Sequence, residues 1–165
     1  MTGNPYQVPQ GEISVSPELR PGSPLKAVFL GLLADIGGTT IASFIIGIAY
    51  AILLAKAGVP SEEISKRAAS IDSFSTLGLL AIAAGLLCSV WGGYVCARIS
   101  KIRECRNAAI MALLSCSFGY LLKGPAMSWL ELLVLSLLGV VAIFLGTWLG
   151  IRLNKRECLG AGGIA

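Results

Sequence analysis

The chain has 165 residues, of which 55% are hydrophobic and 13% are charged, and its mean hydropathy is +0.79. Soluble domains carry about 25% charged residues, so this composition excludes an ordinary soluble domain and makes a lipid bilayer the natural surroundings. The formal net charge of +4 is too small and too scattered to favour nucleic acid, and we expect no nucleic-acid partner.

The first 25 residues are predicted to be a disordered, proline-rich cytoplasmic tail. They contain five of the seven prolines and little apolar content. Proline disrupts a helix interior, and a segment of this composition cannot bury enough apolar surface to fold. After this tail we expect a transmembrane domain over 26–152 and a short basic cytoplasmic tail over 153–165.

Four apolar runs follow the tail, and almost every charge lies between them. About 20 apolar residues in a helix cross a hydrocarbon core of about 30 Å, so each run is predicted to span a membrane. The predicted spans are 27–55, 74–97, 107–123 and 129–151. The expected fold is therefore all-α, an integral membrane bundle of four helices in contact with the lipid bilayer.

The distribution of basic residues predicts the orientation of this bundle. With four crossings, nine basic residues lie on the side that holds both termini: Arg20, Lys26, Arg98, Lys101, Arg103, Arg106, Arg152, Lys155 and Arg156. The other side holds four: Lys56, Lys66, Arg67 and Lys123. Basic residues are concentrated in cytoplasmic loops, so both termini are expected in the cytoplasm. If the short third run did not cross, the split would become seven against six, so the asymmetry favours four crossings.

Small residues recur at helical spacing inside the apolar runs, where they let helix backbones approach closely. Six glycines are predicted to pack helix against helix: Gly78, Gly85, Gly92, Gly139, Gly146 and Gly150. This pattern fits packing within one bundle, which we favour, and it also fits the interface of a homo-oligomer. A membrane-protein partner is a further possibility.

Asp35 is the one charged residue inside the first apolar run. A charge at the centre of a bilayer costs about 2.5–3.5 kcal/mol on insertion scales, so its side chain is expected to face protein or water. Asp35 follows Lys26 by nine residues, which places it about 13 Å below the membrane surface at the rise of an α-helix.

Two serines are predicted to lie at the depth of Asp35. Counting nine residues inward from the basic residue that ends the second run, and from the one that precedes the third, reaches Ser89 and Ser115. We therefore predict a polar cluster of Asp35, Thr39, Ser89 and Ser115, with Arg98 reaching towards it from the interface. Two interpretations stay open: a proton or cation site, and a buried carboxyl group that fixes the register of the helices.

The residue types argue against a metal, another cofactor or an enzyme. The chain has no histidine, and its five cysteines form no CxxC pair, whereas zinc and haem sites need clustered ligands. Without histidine there is no Ser–His or Cys–His pair. Asp35 and Glu131 are predicted at opposite depths, so paired-carboxylate chemistry lacks its geometry.

Two short segments carry a resemblance to known proteins. NPYQVP over 4–9 and GGYVCAR over 92–98 resemble segments of uncharacterised small four-helix bacterial inner-membrane proteins. This resemblance covers about a fifth of the chain with its adjoining loop, and it implies a bacterial inner-membrane protein without implying an activity. The layout is also similar to that of small multidrug exporters, which have four helices and an acid in the first, although the acid here is Asp and no surrounding motif matches.

The sequence predicts a small multi-pass protein of the bacterial inner membrane. We expect an accessory, structural or interaction protein whose specific role the sequence does not define. The alternative is a small proton- or cation-coupled transporter or channel that uses Asp35.

Overall fold

The computed structural model describes residues 23–69, 75–101, 103–123 and 127–161, and all of their regular structure is helical. The elements in chain order are α1 (Pro24–Leu32), a π-helical turn (Leu33–Gly37), α2 (Gly38–Lys56), α3 (Ser61–Ala69), α4 (Thr76–Ser100), α5 (Glu104–Leu121) and α6 (Trp129–Ala161). The first three elements form one continuous helix, Pro24–Lys56, which we call the first long helix. The predicted proline-rich tail lies outside the described residues as far as position 22.

Three helices are long and apolar enough to cross a membrane: Pro24–Lys56, Thr76–Ser100 and Trp129–Arg156. Large apolar side chains such as Phe44, Leu87 and Leu133 are exposed on their outer faces, where lipid would cover them. The chain is therefore an all-α, multi-pass membrane protein in contact with the bilayer.

The predicted number of four spanning helices is not confirmed by length and apolar content alone. α5 covers most of the third predicted span, but Glu104, Arg106 and Asn107 lie in its first turn. These polar residues lower the apolar content of a helix that is only 18 residues long.

α6 continues beyond the predicted end of the last span. The apolar run ends at 151, whereas the helix runs to Ala161. Most of the predicted basic tail is therefore helical.

α6 begins at a capping box. The backbone N–H of Ser128 donates to Oε2 of Glu131 at 2.9 Å, and the N–H of Glu131 donates to Oγ of Ser128 at 3.2 Å.

Aromatic and basic side chains mark two ends of the bundle. At one end, which we call the Lys123 end, Nζ of Lys123 lies 4.2 Å from the ring centroid of Trp129. At the other, the Arg98 end, Cζ of Arg152 lies 5.1 Å from the ring centroid of Trp148. The helix between the two tryptophans is about 28 Å long, which matches a hydrocarbon core of about 30 Å with an aromatic residue at each interface.

α4 packs against α6 through glycines on both helices. A Cβ added at Gly93 would overlap the backbone of Ile143, and one added at Gly146 would overlap the backbone of Val90. The hydroxyl of Thr147 is shared between the carbonyl oxygen of Ile143 in its own helix, at 2.9 Å, and the carbonyl oxygen of Gly93 in α4, at 3.3 Å. The two backbones are thus in direct contact, which is how helices associate closely in lipid.

The first long helix packs against α4 through a second pair of glycines. A Cβ added at Gly92 would lie 2.7 Å from the carbonyl oxygen of Gly31. One added at Gly31 would lie 2.8 Å from the sulfur of Met111 in α5 and 2.9 Å from Cβ of Cys96. Hydrogen at both positions therefore lets three helices meet near the Arg98 end.

The six glycines predicted to pack helices do not all do so. Gly92, Gly146 and Gly150 lie at close contacts between helices, and Gly78 is buried near the start of α4. A Cβ at Gly85 would make an ordinary contact with Thr39 at 3.6 Å, and one at Gly139 would meet nothing within 4 Å. A spacing of seven residues identifies a helix face but not what that face meets, so the prediction for Gly139 is corrected by the structure.

We expect Gly146→Ala to destabilise the protein by about 1–3 kcal/mol, as overpacking usually does, because its methyl group would overlap the backbone of Val90. The measurement is reversible unfolding of the detergent-solubilised protein. Gly139→Ala in the same helix is the matched control and should retain at least the stability of the wild type, because its added methyl group meets open space. Equal stability of the two variants would contradict the described contact between α4 and α6.

Candidate functional site

Asp35 lies within the π-helical turn, and its side chain is bonded to two other helices. It is 5% exposed. Oγ of Ser89 in α4 donates to Oδ1 at 2.7 Å, and Oγ of Ser115 in α5 donates to Oδ2 at 2.6 Å. Hydroxyl bonds to a carboxylate are short and strong. The pair of bonds therefore ties the first long helix to both of its neighbours.

The π-helical turn, Leu33–Gly37, divides the first long helix into halves with different neighbours. α1 packs against α4 and α5, whereas α2 packs against α4 and α3. A single π turn changes the face that a helix presents, and such turns are frequent at functional sites. Oγ1 of Thr40 donates to the carbonyl oxygen of Ile36 at 2.7 Å, which gives a backbone acceptor of the turn a side-chain partner.

A cavity of about 480 Å³ extends from Asp35 towards the Lys123 end. It lies between α2, α4, α5 and α6. Asp35, Ser89 and Ser115 line it at one end, and Leu122, Lys123 and Met127 line it at the other. Most of the remaining wall is apolar and includes Ile36, Ile82, Leu86, Leu135, Val140 and Ile143.

The predicted polar cluster is brought together for four of its five residues. Asp35, Ser89 and Ser115 are joined by hydrogen bonds, and Thr39 lines the same cavity one helical turn beyond Asp35. All four line the cavity between the helices.

Arg98 lies elsewhere, in a separate polar network at the Arg98 end. Its Nη1 donates to Oδ1 of Asn154 at 2.9 Å. Nδ2 of Asn154 in turn donates to the carbonyl oxygen of Ala97 at 3.2 Å and to Oε1 of Glu104 at 3.0 Å. Arg98 therefore does not extend towards the cluster. Long basic side chains extend to the membrane surface, and at the Arg98 end the side chain of Asn154 accepts its hydrogen bond.

Sequence reasoning missed two polar residues of this region. Asn154 was assigned to a tail, because it follows the last apolar run, yet it links α4, α5 and α6. Asn107 is 1% exposed, and within the described part of the chain its Nδ2 has no hydrogen-bond partner. Asn154 follows Gly150 by four residues and Thr147 by seven, so it lies on the same face of the helix as both. This spacing, continued beyond the apolar run, is the signal that could have identified it.

The chemistry available to the site is that of a single carboxylate with two hydroxyl donors. An ionised carboxylate has about four lone-pair sites, so two serine bonds leave acceptor capacity on both oxygens. A proton or a cation could occupy that capacity. Within the described residues, no three His, Cys, Asp or Glu side chains come together as a metal-binding cluster.

No protein-family model, curated protein or solved structure matches the chain. Its class therefore rests on its own helices and site: it is a multi-pass, all-α membrane protein with a buried, hydrogen-bonded carboxyl group on the wall of a cavity between helices.

We expect Ser89→Ala and Ser115→Ala each to destabilise the protein by about 1 kcal/mol, because each removes a donor from the buried Asp35. Hydrogen bonds within membrane proteins contribute about 0.6 kcal/mol on average and at most about 1.7 kcal/mol, and bonds to a charged group are stronger. Ser117→Ala is the control, since Oγ of Ser117 donates to a carbonyl of its own helix. The measurement is again reversible unfolding in detergent, and equal losses for all three variants would contradict the described bonds.

Proposed function

We propose that this chain is a small transporter of the bacterial inner membrane, and that Asp35 is its proton- or cation-binding site. The observation that carries the proposal is the position of a buried carboxyl group on the wall of a cavity between the helices. Ionisable residues inside membranes are costly and mark substrate or ion pathways. The π-helical turn around Asp35 adds support, since such turns are common at functional sites.

The proposal includes a fourth membrane crossing made by α5. This helix is about 27 Å long and packs against α1, α4 and α6. Glu104 at its start bonds Asn154 at the Arg98 end. Near its other end, the ring of Tyr120 lies 5.6 Å from that of Trp129. These contacts at opposite ends of the bundle support a helix that runs the full distance between the two interfaces.

The proposed orientation places the Arg98 end, and with it both termini, in the cytoplasm. Its support is the positive-inside rule applied to four crossings. Most basic residues of the chain then lie on that side.

We expect Cys105 and a cysteine introduced by Met127→Cys to react with a membrane-impermeant maleimide from opposite sides of the membrane. Cys105 is exposed at the start of α5, and Met127 lies just before α6. Each is tested as the single accessible cysteine: Cys158 is replaced by alanine in both variants, and Cys105 is also replaced by alanine in the Met127→Cys variant. The Met127→Cys variant should be labelled in spheroplasts and Cys105 only in inverted vesicles. Labelling of both from one side would exclude the fourth crossing, and the reverse pattern would exclude the proposed orientation.

An accessory or structural membrane protein is the second candidate. The observation that favours it is that each oxygen of Asp35 already accepts a bond from a serine of a neighbouring helix. In that case the carboxyl group sets the register of three helices and needs no ligand.

The two candidates differ in what Asp35→Asn does to proton movement. Purified protein is reconstituted in liposomes, a membrane potential is imposed, and proton entry is followed with an internal pH dye. The transporter should give proton entry well above that of empty liposomes, and Asp35→Asn should reduce it to their level while the variant remains folded. Glu131→Gln is the control, because glutamine preserves a capping box and Glu131 does not line the cavity. No proton entry with the wild type, together with unfolding of Asp35→Asn, would favour the structural role.

A further inference from the structure

We propose that the cavity ending at Asp35 binds a compact organic cation, with its positive group at the carboxylate and its apolar body along the cavity walls. This inference rests on the proposed function in one respect, since it names the class of substrate for the same site.

The charges that line the cavity are separated along its length. Among the described residues that line the cavity, Asp35 is the one acid and lies at the Arg98 end, where contacts between helices close the cavity, and Lys123 is the one base and lies at the opposite end. Lys123 lies just beyond the end of α5 and follows Ser115 by eight residues, which is about 12 Å at the rise of an α-helix, and Nζ of Lys123 lies over the ring of Trp129. Lys123 therefore does not neutralise Asp35, and the closed end of the cavity favours a positive group.

The oxygen atoms near Asp35 favour an organic cation over a metal ion. Ca²⁺ takes about six to eight oxygen ligands, and Mg²⁺ requires about six in a near-ideal octahedron. The closed end of the cavity supplies one carboxylate, and the hydroxyls of Ser89 and Ser115 already point their hydrogens at it. An alkylammonium group needs only a negative partner and surrounding apolar contacts.

The volume and walls of the cavity fit a small apolar body. Its volume of about 480 Å³ lies within the range of about 300–1,000 Å³ typical of small-molecule sites. Aliphatic side chains from several helices form most of the wall, and Thr39, Thr40 and Ser136 add hydroxyl groups. Apolar walls with a single charged anchor are the usual composition of such a site.

Contacts between the helices close the cavity at the Arg98 end, and the helices are less tightly packed towards the other end. Near Asp35 the helices are in contact, since a Cβ at Gly92 would lie 3.0 Å from Cβ of Asp35. Beyond the π-helical turn, α2 packs along α4, and none of the residues of α2, all of which the structure describes, is buried. A ligand would therefore enter from the Lys123 end and stop at Asp35.

The test is equilibrium dialysis of the full chain in lipid nanodiscs, with empty nanodiscs as the blank. The probe is phenyltrimethylammonium, and its neutral isostere tert-butylbenzene has the same shape without the charge. The cation should bind saturably at one site per chain, and the neutral isostere should show no saturable binding. Asp35→Asn should weaken the binding of the cation at least tenfold.

A pair of glycine variants keeps the test informative if Asp35→Asn does not fold. Gly139→Phe projects a ring into the cavity from a position with open space, and it should abolish binding of the cation. Gly47→Phe is the matched control, because a Cβ at Gly47 also meets nothing within 4 Å and Gly47 lies outside this cavity. It should bind as the wild type does.

Three results would overturn the inference: equal binding of the neutral isostere, unchanged binding in Asp35→Asn, or equal effects of the two phenylalanine variants. The first would indicate an apolar cleft that a lipid chain could fill. The binding experiment and the liposome experiment can fail independently of each other. Binding of the cation without proton movement in liposomes contradicts the transporter alone, and proton movement without binding contradicts the inference alone.

Discussion

Contact between the backbones of the first long helix and α4 is the constraint on which the candidate site depends. At Gly31 and Gly92 there is no room for a side chain on either helix. This approach brings Ser89, one turn before Gly92, within hydrogen-bond distance of Asp35. A larger residue at Gly92 would push Asp35 and Ser89 apart, and the bilayer offers no water to replace the lost donor. The glycine contact and the buried carboxyl group thus depend on each other.

Two parts of the bundle differ in how tightly they pack: α4 and α6 pack closely against each other, and α2 packs loosely against its neighbours. α4 and α6 share direct backbone contacts at Gly93 and Gly146 and a hydrogen bond from Thr147. α2 buries none of its residues. The π-helical turn, which contains Asp35, joins the loosely packed α2 to α1, which packs against α4 and α5. The buried carboxyl group of Asp35 therefore lies where the packing of the first long helix changes.

Residue counting from the sequence placed Asp35, Ser89 and Ser115 at one depth because each helical residue adds a fixed rise. The same counting could not place Arg98, whose long side chain ends far from its backbone and bonds Asn154 instead. Hydropathy gave the all-α class and the long helices. It could not reveal the π-helical turn, because an inserted backbone turn leaves the apolar content unchanged. Glycine spacing similarly could not separate Gly146, which contacts α4, from Gly139, which faces the cavity, since the choice depends on which neighbour each face meets.

The length of the first long helix has a consequence for how the protein responds to the thickness of its bilayer. Its 33 residues extend about 50 Å, well beyond a hydrocarbon core of about 30 Å, and a helix of this length is accommodated by tilting, by bending or by a local thickening of the bilayer. The Arg98 half is fixed by its glycine contacts and by the bonds of Asp35. Adjustment therefore falls on α2, which is one wall of the cavity. A thinner membrane would increase the tilt of that wall, and the width of the cavity mouth would vary with the lipid composition around it.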